Sequence, residues 1–192
     1  MGPDFESIVK FFESVEQQLI PLVLQATSDV ITSPTNEDTD LWSIHHEGNN
    51  NFRLIDYHRT SDSSRQGARE HRDPSTATII FQDGSGGLEV QDPYSGVWRA
   101  VPGNETVIMW GLSGQLFSGG RVKAVNHRVR SIPSFRRNSA VFFISPDHEA
   151  RLRPLVPGRF GNGEINPDGE LTVGRFVEMM RNRRSRMQHR RN

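Results

Sequence analysis

Residues 70–90 read EHRDPSTATIIFQDGSGGLEV. A histidine and an aspartate stand two positions apart, and an apolar run and a glycine-rich segment follow. On extended backbone alternate side chains share a face, so His71 and Asp73 point to the same side. The run ending in ATIIF carries β-branched and aromatic residues, which predicts a strand over 71–81. QDGSGG (82–87) supplies residues that tolerate turn backbone angles. The stretch therefore reads as a pair of potential metal ligands leading into a strand and a turn. The pair gains meaning only if a closed β fold returns a third ligand to it.

Working outward, the same alternation of short apolar runs and turn residues extends through most of the chain. Strands are expected near 51–57, 71–81, 87–91, 97–101, 105–110, 114–118, 122–130 and 137–145, with VPGNE (101–105) as a further turn. Eight short strands of this spacing predict an all-β sandwich or barrel. Periodicity leaves a jelly roll and an immunoglobulin-like sandwich equally open.

The third ligand arrives 54 residues after Asp73, as His127 in RVKAVNHRVRS (121–131). Two imidazoles and one carboxylate on one face are the ligand set of non-haem Fe(II) oxygenases, whose open positions accept co-substrate and oxygen. Ten residues further, RRNSAVFF (136–143) places Arg137 and Ser139 two apart on a strand. A guanidinium fork beside a hydroxyl is a good carboxylate receptor, because arginine donates two parallel hydrogen bonds. An anion held there would reach a metal with its other end.

With these residues in place, 51–146 resembles the C-terminal catalytic region of the isopenicillin N synthase-like Fe(II)/2-oxoglutarate dioxygenases. GAREHRDPSTATIIFQDGSGGLEVQ (67–91) is similar to that family's first-ligand segment. GVWRAVPGNETVIMWGLSGQLFSGGRVKAVNHRV (96–129) is similar to the next stretch, with its SGGR turn and distal HRV. RRNSAVFFISP (136–146) resembles its Arg-x-Ser strand. The resemblance implies a double-stranded β-helix, or jelly roll; with the helical spacing at either end of the chain, the fold class expected is mainly β with an N-terminal packing helix and a short C-terminal helix. The resemblance implies His71, Asp73 and His127 as iron ligands, and Arg137 and Ser139 as the site for the far carboxylate of 2-oxoglutarate. FRLIDYH (52–58) resembles the strand that carries a further co-substrate tyrosine, which makes Tyr57 the candidate. The implied activity couples decarboxylation of 2-oxoglutarate, with Fe(II) and O2, to oxidation of a small organic molecule.

The chain departs from the family pattern at three places. Arg72 stands between the ligands where a small residue is usual, and it is expected to face away from the metal. Ile55 replaces an asparagine two residues before Tyr57. The family's substantial N-terminal region is largely missing, which points to a minimal member, a truncated product, or half of a homodimer that covers an exposed edge. Two other readings stay open: an iron oxidase that does not use 2-oxoglutarate, and a non-catalytic jelly roll used for binding. A zinc hydrolase would leave the Arg-Ser pair without a purpose.

The flanks divide the chain into 1–50, a helix and polar linker; 51–150, the β core; and 151–192, an extension with a short helix and a basic tail. Ile8, Phe12, Val15, Leu19 and Val23 recur at helical steps. Asp4 is the expected N-cap, and Pro21 is expected to kink or end the helix. Residues 27–50 read as linker, with His45 and His46 as ordinary loop histidines. Near the end, Phe176, Val177 and Met180 share one side of a helix starting at Thr172, and Met179 and Met180 are expected to pack rather than bind.

Net charge is zero, but residues 1–50 sum to −8 and the rest to +8, with six arginines among the last twelve residues. That tail is expected to be a solvated terminus, so nucleic acid is not an expected partner. The absence of cysteine excludes disulfides and thiolate chemistry. The N-terminus lacks a signal-peptide pattern and no apolar run is long enough to span a membrane, so a cytoplasmic protein acting on a small molecule is expected.

Overall fold

The computed structural model describes residues 2–31, 41–46, 49–58, 66–130, 136–155 and 170–189, apart from the side chains of Gln66 and 183–189. In chain order its strands are β1 (Asn51–Tyr57), β2 (Gln66–His71), β3 (Ala77–Gln82), β4 (Leu88–Gln91), β5 (Trp98–Ala100), β6 (Val107–Trp110), β7 (His127–Arg130) and β8 (Arg137–Ile144). They form two four-stranded sheets, a major one in the order β1-β8-β3-β6 and a minor one in the order β2-β7-β4-β5. Every pairing is antiparallel. This is the jelly roll that the family resemblance implies.

Strand alternation decides which residues reach the interior. On β3, Ala77 and Ile79 pack outward against the N-terminal helices, while Ile80 packs inward. On β8, Phe142 and Ile144 face outward and Val141 inward, which puts Arg137 and Ser139 on the inner face as well. Ile80, Leu88, Met109, Val129 and Val141 fill the space between the sheets.

The N-terminal helix covers the outer face of the major sheet. It runs as α1 (Pro3–Ser14), a π-helical stretch (Val15–Leu19) and α2 (Ile20–Ile31). Phe11 and Phe12 pack on Phe52 and Phe142, whose rings lie 4.5 Å apart. Pro21 does not end this helix. The irregularity sits just before it, where Ile20 N–H bonds to Val15 O and the ladder widens by one residue. Asp4 is not the N-cap: Gly2 caps, Pro3 opens the first turn, and Asp4 follows within that turn, where its charge complements the helix dipole. The linker also begins later than expected, since α2 reaches Ile31, and residues 41–44 form a 3-10 turn. The remainder of the 27–50 linker lies largely outside the described residues.

Three of the expected strands differ. The run over 71–81 is the end of β2, an irregular link at 72–76 that bends at 74–76, and then β3. Residues 114–118 are not a strand: 114–117 belong to α3 (Leu112–Phe117) and Ser118 is its C-cap. Leu112, Leu116 and Phe117 are buried on one side at helical spacing. Gly119 and Gly120, both at positive φ, close the helix: Gly120 N–H reaches Gln115 O and Gly119 N–H reaches Leu116 O. The expected strand over 122–130 shortens to β7.

Thr172 precedes α4 (Val173–His189), and its hydroxyl accepts a hydrogen bond from Arg175 N–H. Phe176, Val177 and Met180 pack into the cluster around α3, as expected, whereas Met179 is exposed. The backbone stays helical through His189, so the arginine-rich end is a helix over most of its length rather than a frayed terminus. Among the described residues no helix is long and apolar enough to cross a membrane.

Candidate metal centre and co-substrate clamp

Pairing of β2 with β7 sets His71 directly opposite His127. Their rings stand 4.3 Å apart between centroids. Asp73, two residues past His71, completes a cluster in which one potential ligand atom from each residue lies within 4.8 Å of the others. His71 Nε2 is 3.4 Å from Asp73 Oδ1, and His127 Nε2 is 3.7 Å from Asp73 Oδ2. Asp73 and His127 are buried, and His71 is the partly exposed member.

Backbone carbonyls orient both imidazoles. His71 Nδ1 lies 2.7 Å from Arg69 O, and His127 Nδ1 lies 3.2 Å from Val125 O. A carbonyl can only accept, so each Nδ1 carries a proton and Nε2 is the nitrogen that a neutral ring offers to a metal. Burial acts to push the Asp73 carboxyl up. The polar contact with His71, the charges that His127 and His71 can carry, and the Thr78 hydroxyl together outweigh it and hold the carboxyl below its usual range. The donor set suits a divalent transition metal held on one face.

Asp73 also sits in a loop that α3 grips. Leu112 N–H bonds to Asp73 O, Gly111 N–H to Thr76 O, and Ser113 N–H to Ser75 O, while Ser113 Oγ donates to Pro74 O. The first turn of α3 thus uses its unpaired amides to fix the backbone on the C-terminal side of the ligand. From the other flank, His45 bridges Leu41 O (2.6 Å) and Thr76 Oγ1 (2.9 Å). It is therefore a packed structural residue and not an ordinary loop histidine, and burial pushes its imidazole pKa down. His46 is exposed and approaches Asp147 at 3.2 Å.

The second half of the site lies on β8 and its neighbours. Tyr57 pairs with Arg137 across β1 and β8, and Gln82 with Ser139 across β3 and β8. The Arg137 guanidinium stands 5.1 Å from the Tyr57 ring centroid. Its Nη1 donates to Ser139 Oγ at 3.3 Å and its Nη2 to Gln82 Oε1 at 3.0 Å. Arg137 Nε is buried with no hydrogen-bond partner among the described residues. Burial pulls the Arg137 pKa down, opposed by the nearby Tyr57 and Asp83. Burial likewise raises the Tyr57 pKa, with Arg137 opposing and the Asp73 charge adding to it. A buried cation held by neutral groups, with its Nε unpartnered, is suited to an incoming carboxylate.

All six residues singled out in the sequence thus fall into two adjoining groups, His71, Asp73 and His127 in one and Arg137, Ser139 and Tyr57 in the other. His58 lies 3.6 Å from Asp56 and stays apart from them. Thr78, Gln82 and the first turn of α3 join the site without having been marked by the sequence. Period-two counting along β3 from Ile80 carries a signal for the first two, because it places both on the inner face.

The family model described as the 2OG-Fe(II) oxygenase superfamily matches residues 46–146. Feruloyl CoA ortho-hydroxylase 2 of Arabidopsis thaliana is 40% identical over 109 residues, which are 56% of this chain and 28% of that protein. Clavatol oxidase claD of Penicillium crustosum is 31% identical over 176 residues, 85% of this chain and 50% of that protein. The chain thus spans half or less of the length of these curated relatives. Among solved structures, a full-length Neurospora crassa protein in complex with alpha-KG has a TM-score of 0.74 over 93% of this chain and 56% of that one. At 23% identity that likeness is one of fold. The matched segment is the one that carries the imidazole–carboxylate cluster and the buried guanidinium, and both fit the cofactors in the family's description, Fe(II) and 2-oxoglutarate. The chain belongs to the 2OG-Fe(II) oxygenase superfamily.

Proposed function

We propose that this chain carries the catalytic core of an Fe(II)- and 2-oxoglutarate-dependent dioxygenase that oxidises a small organic molecule. The observation that carries the reading is the pairing of a three-residue ligand cluster with a buried arginine that has no carboxylate partner among the described residues. His71, Asp73 and His127 would hold Fe(II). Arg137 and Ser139, with Tyr57 beside them, would hold the far carboxylate of 2-oxoglutarate. When bound, iron, 2-oxoglutarate and O2 supply the oxidising chemistry, yielding succinate and carbon dioxide and oxidising a C–H bond of the substrate.

The side chains contribute position and electrostatics. With His71, Asp73 and His127 as its protein ligands, a bound metal would also be able to take exchangeable groups. The Nδ1 contacts of His71 and His127 fix ring orientation and direct Nε2 toward the metal. Arg137 neutralises the co-substrate's distal charge where water is excluded, which makes that contact worth more than on the surface. The scheme needs no side-chain general base, and Asp73 acts as a ligand.

A small-molecule substrate, a cytoplasmic site of action and a homodimer belong to the same reading. Reduced iron and a central metabolite as co-substrate support the cytoplasm. Among the described residues β1 pairs only with β8 and forms an edge of the major sheet with Leu54 exposed, which supports a second copy, and sedimentation equilibrium decides it.

Anaerobic mixing with Fe(II) and 2-oxoglutarate tests the proposal. A weak visible charge-transfer band is the expected result, lost in Asp73→Ala. In air, release of succinate separates a 2-oxoglutarate-dependent enzyme from an oxidase that does not use it. A wild-type protein that shows no band and releases no succinate overturns the reading.

A further inference from the structure

Asp73 Oδ2 accepts a 2.8 Å hydrogen bond from the Thr78 hydroxyl. Thr78 is fully buried and belongs to β3 in the major sheet, whereas Asp73 follows β2 in the minor sheet. The bond is thus a polar tie between sheets at the bottom of the ligand cluster. A threonine hydroxyl has a single proton, and here it points to Asp73. Ser75 Oγ, 3.0 Å from Thr78 Oγ1 and also buried, must then be the donor to Thr78. The relay runs one way, from Ser75 to Thr78 to Asp73, and each bond polarises the next.

We propose that Thr78 is a positioning residue for the metal centre: by donating to Asp73 Oδ2, the oxygen nearer His127, it fixes the carboxylate plane and leaves Oδ1, the oxygen nearer His71, as the one presented to a metal. A carboxylate free to turn would offer both oxygens to a metal and use a position the co-substrate needs. With Thr78 donating, the carboxylate plane is set by a residue of the opposite sheet, in the manner of the outer-shell partners that tune metal sites. The inference rests on the metal reading above.

Thr78→Val deletes the hydroxyl at similar shape, and Thr78→Ser keeps it. Anaerobic titration with Fe(II) alone, in competition with a chromophoric chelator, reads the metal Kd of each, and a thermal melt reports whether each is folded. Thr78→Val is expected to raise the Kd roughly ten- to a hundredfold, with Thr78→Ser close to wild type. A folded valine variant that binds Fe(II) like wild type overturns the role. Should the valine variant not fold, Ser75→Ala carries the test, since it removes the donor to Thr78 and leaves both groups at Asp73. It is expected to weaken Fe(II) binding severalfold, and an unchanged Kd again overturns the role. Absence of Fe(II) binding by the wild type defeats the metal reading itself, which separates the two failures.

Discussion

The side-chain oxygen of Gln82 accepts a hydrogen bond from Arg137 Nη2 at 3.0 Å, and the same amide donates to two backbone carbonyls, those of Pro102 and Glu105. The two carbonyls fix which way the amide faces, because only its nitrogen can donate to them. Its oxygen is thereby committed to Arg137, and the guanidinium plane is set from one side. Gln82→Leu should raise the 2-oxoglutarate concentration for half-saturation about tenfold, equivalent to ~1.4 kcal/mol. Gln82→Glu should do so more strongly, since a carboxylate beside Arg137 competes with that of the co-substrate. Titration of the charge-transfer band with 2-oxoglutarate measures both, and unchanged half-saturation in both variants rules out the orienting role.

Arg137 itself illustrates how binding competence and stability diverge. Its charge is buried against neutral partners, a position that costs free energy until an anion arrives. Arg137→Met should therefore melt, free of metal and co-substrate, no lower than wild type, while its response to 2-oxoglutarate disappears. The wild type should gain thermal stability on adding 2-oxoglutarate with a divalent metal, by mass action. A methionine variant that unfolds several degrees below wild type would show instead that Arg137 is a net structural support.

How far these groups are readable from the chain differs by residue. The ligand set is legible because His71 and Asp73 use the period of an extended strand, and His127, Arg137 and Ser139 follow in order on later strands. Helix α3 is not, since GQLFS is a short apolar run that suits either period. Its helical identity rests on Leu112 and on the glycines at 119 and 120, which lie outside that window. Thr78 and Gln82 are hidden for another reason. Gln82 meets Arg137 from a strand 55 residues further on, and Thr78 meets Asp73 only because the chain bends between them, so period-two counting puts both on the inner face without naming their partners. His45 reads as a loop residue because its neighbours are polar, whereas its burial comes from Thr76, 31 residues away.

Burial of His45 gives the fold a pH dependence of defined sign. Its pKa is lowered in the folded protein, mainly by desolvation, against an opposing contribution from the Leu41 carbonyl and Asp147. Below about pH 6.5 the unfolded chain takes up a proton that the folded chain resists. Stability should thus be highest above that pH and fall as acid is added, by at most ~1.4 kcal/mol per pH unit for this one group. Chemical denaturation of metal-free protein between pH 7 and 5 checks it. His45→Gln should flatten the slope in that window, and parallel curves for variant and wild type would assign the acid sensitivity elsewhere.

Gly111 is where the helix and the ligand loop come closest. A Cβ there would stand 2.2 Å from Ser75 O and 2.9 Å from Asp73 O, both backbone atoms. Neither can swing aside as a side chain would, so the loop must shift as a unit. Leu112 N–H, which bonds to Asp73 O at 2.8 Å, would move with it. Gly111→Ala should cost about 1–3 kcal/mol as an overpacked site. For a chain of this size that lowers the melting temperature by roughly 2–4 °C per kcal/mol. Because the displaced loop carries Asp73, Fe(II) affinity should fall in the same variant, measured by anaerobic chelator competition on protein that remains folded. Loss of thermal stability with full Fe(II) affinity would mean that the ligand geometry is held by Thr78 and the strand pairing alone, and that α3 serves only the core.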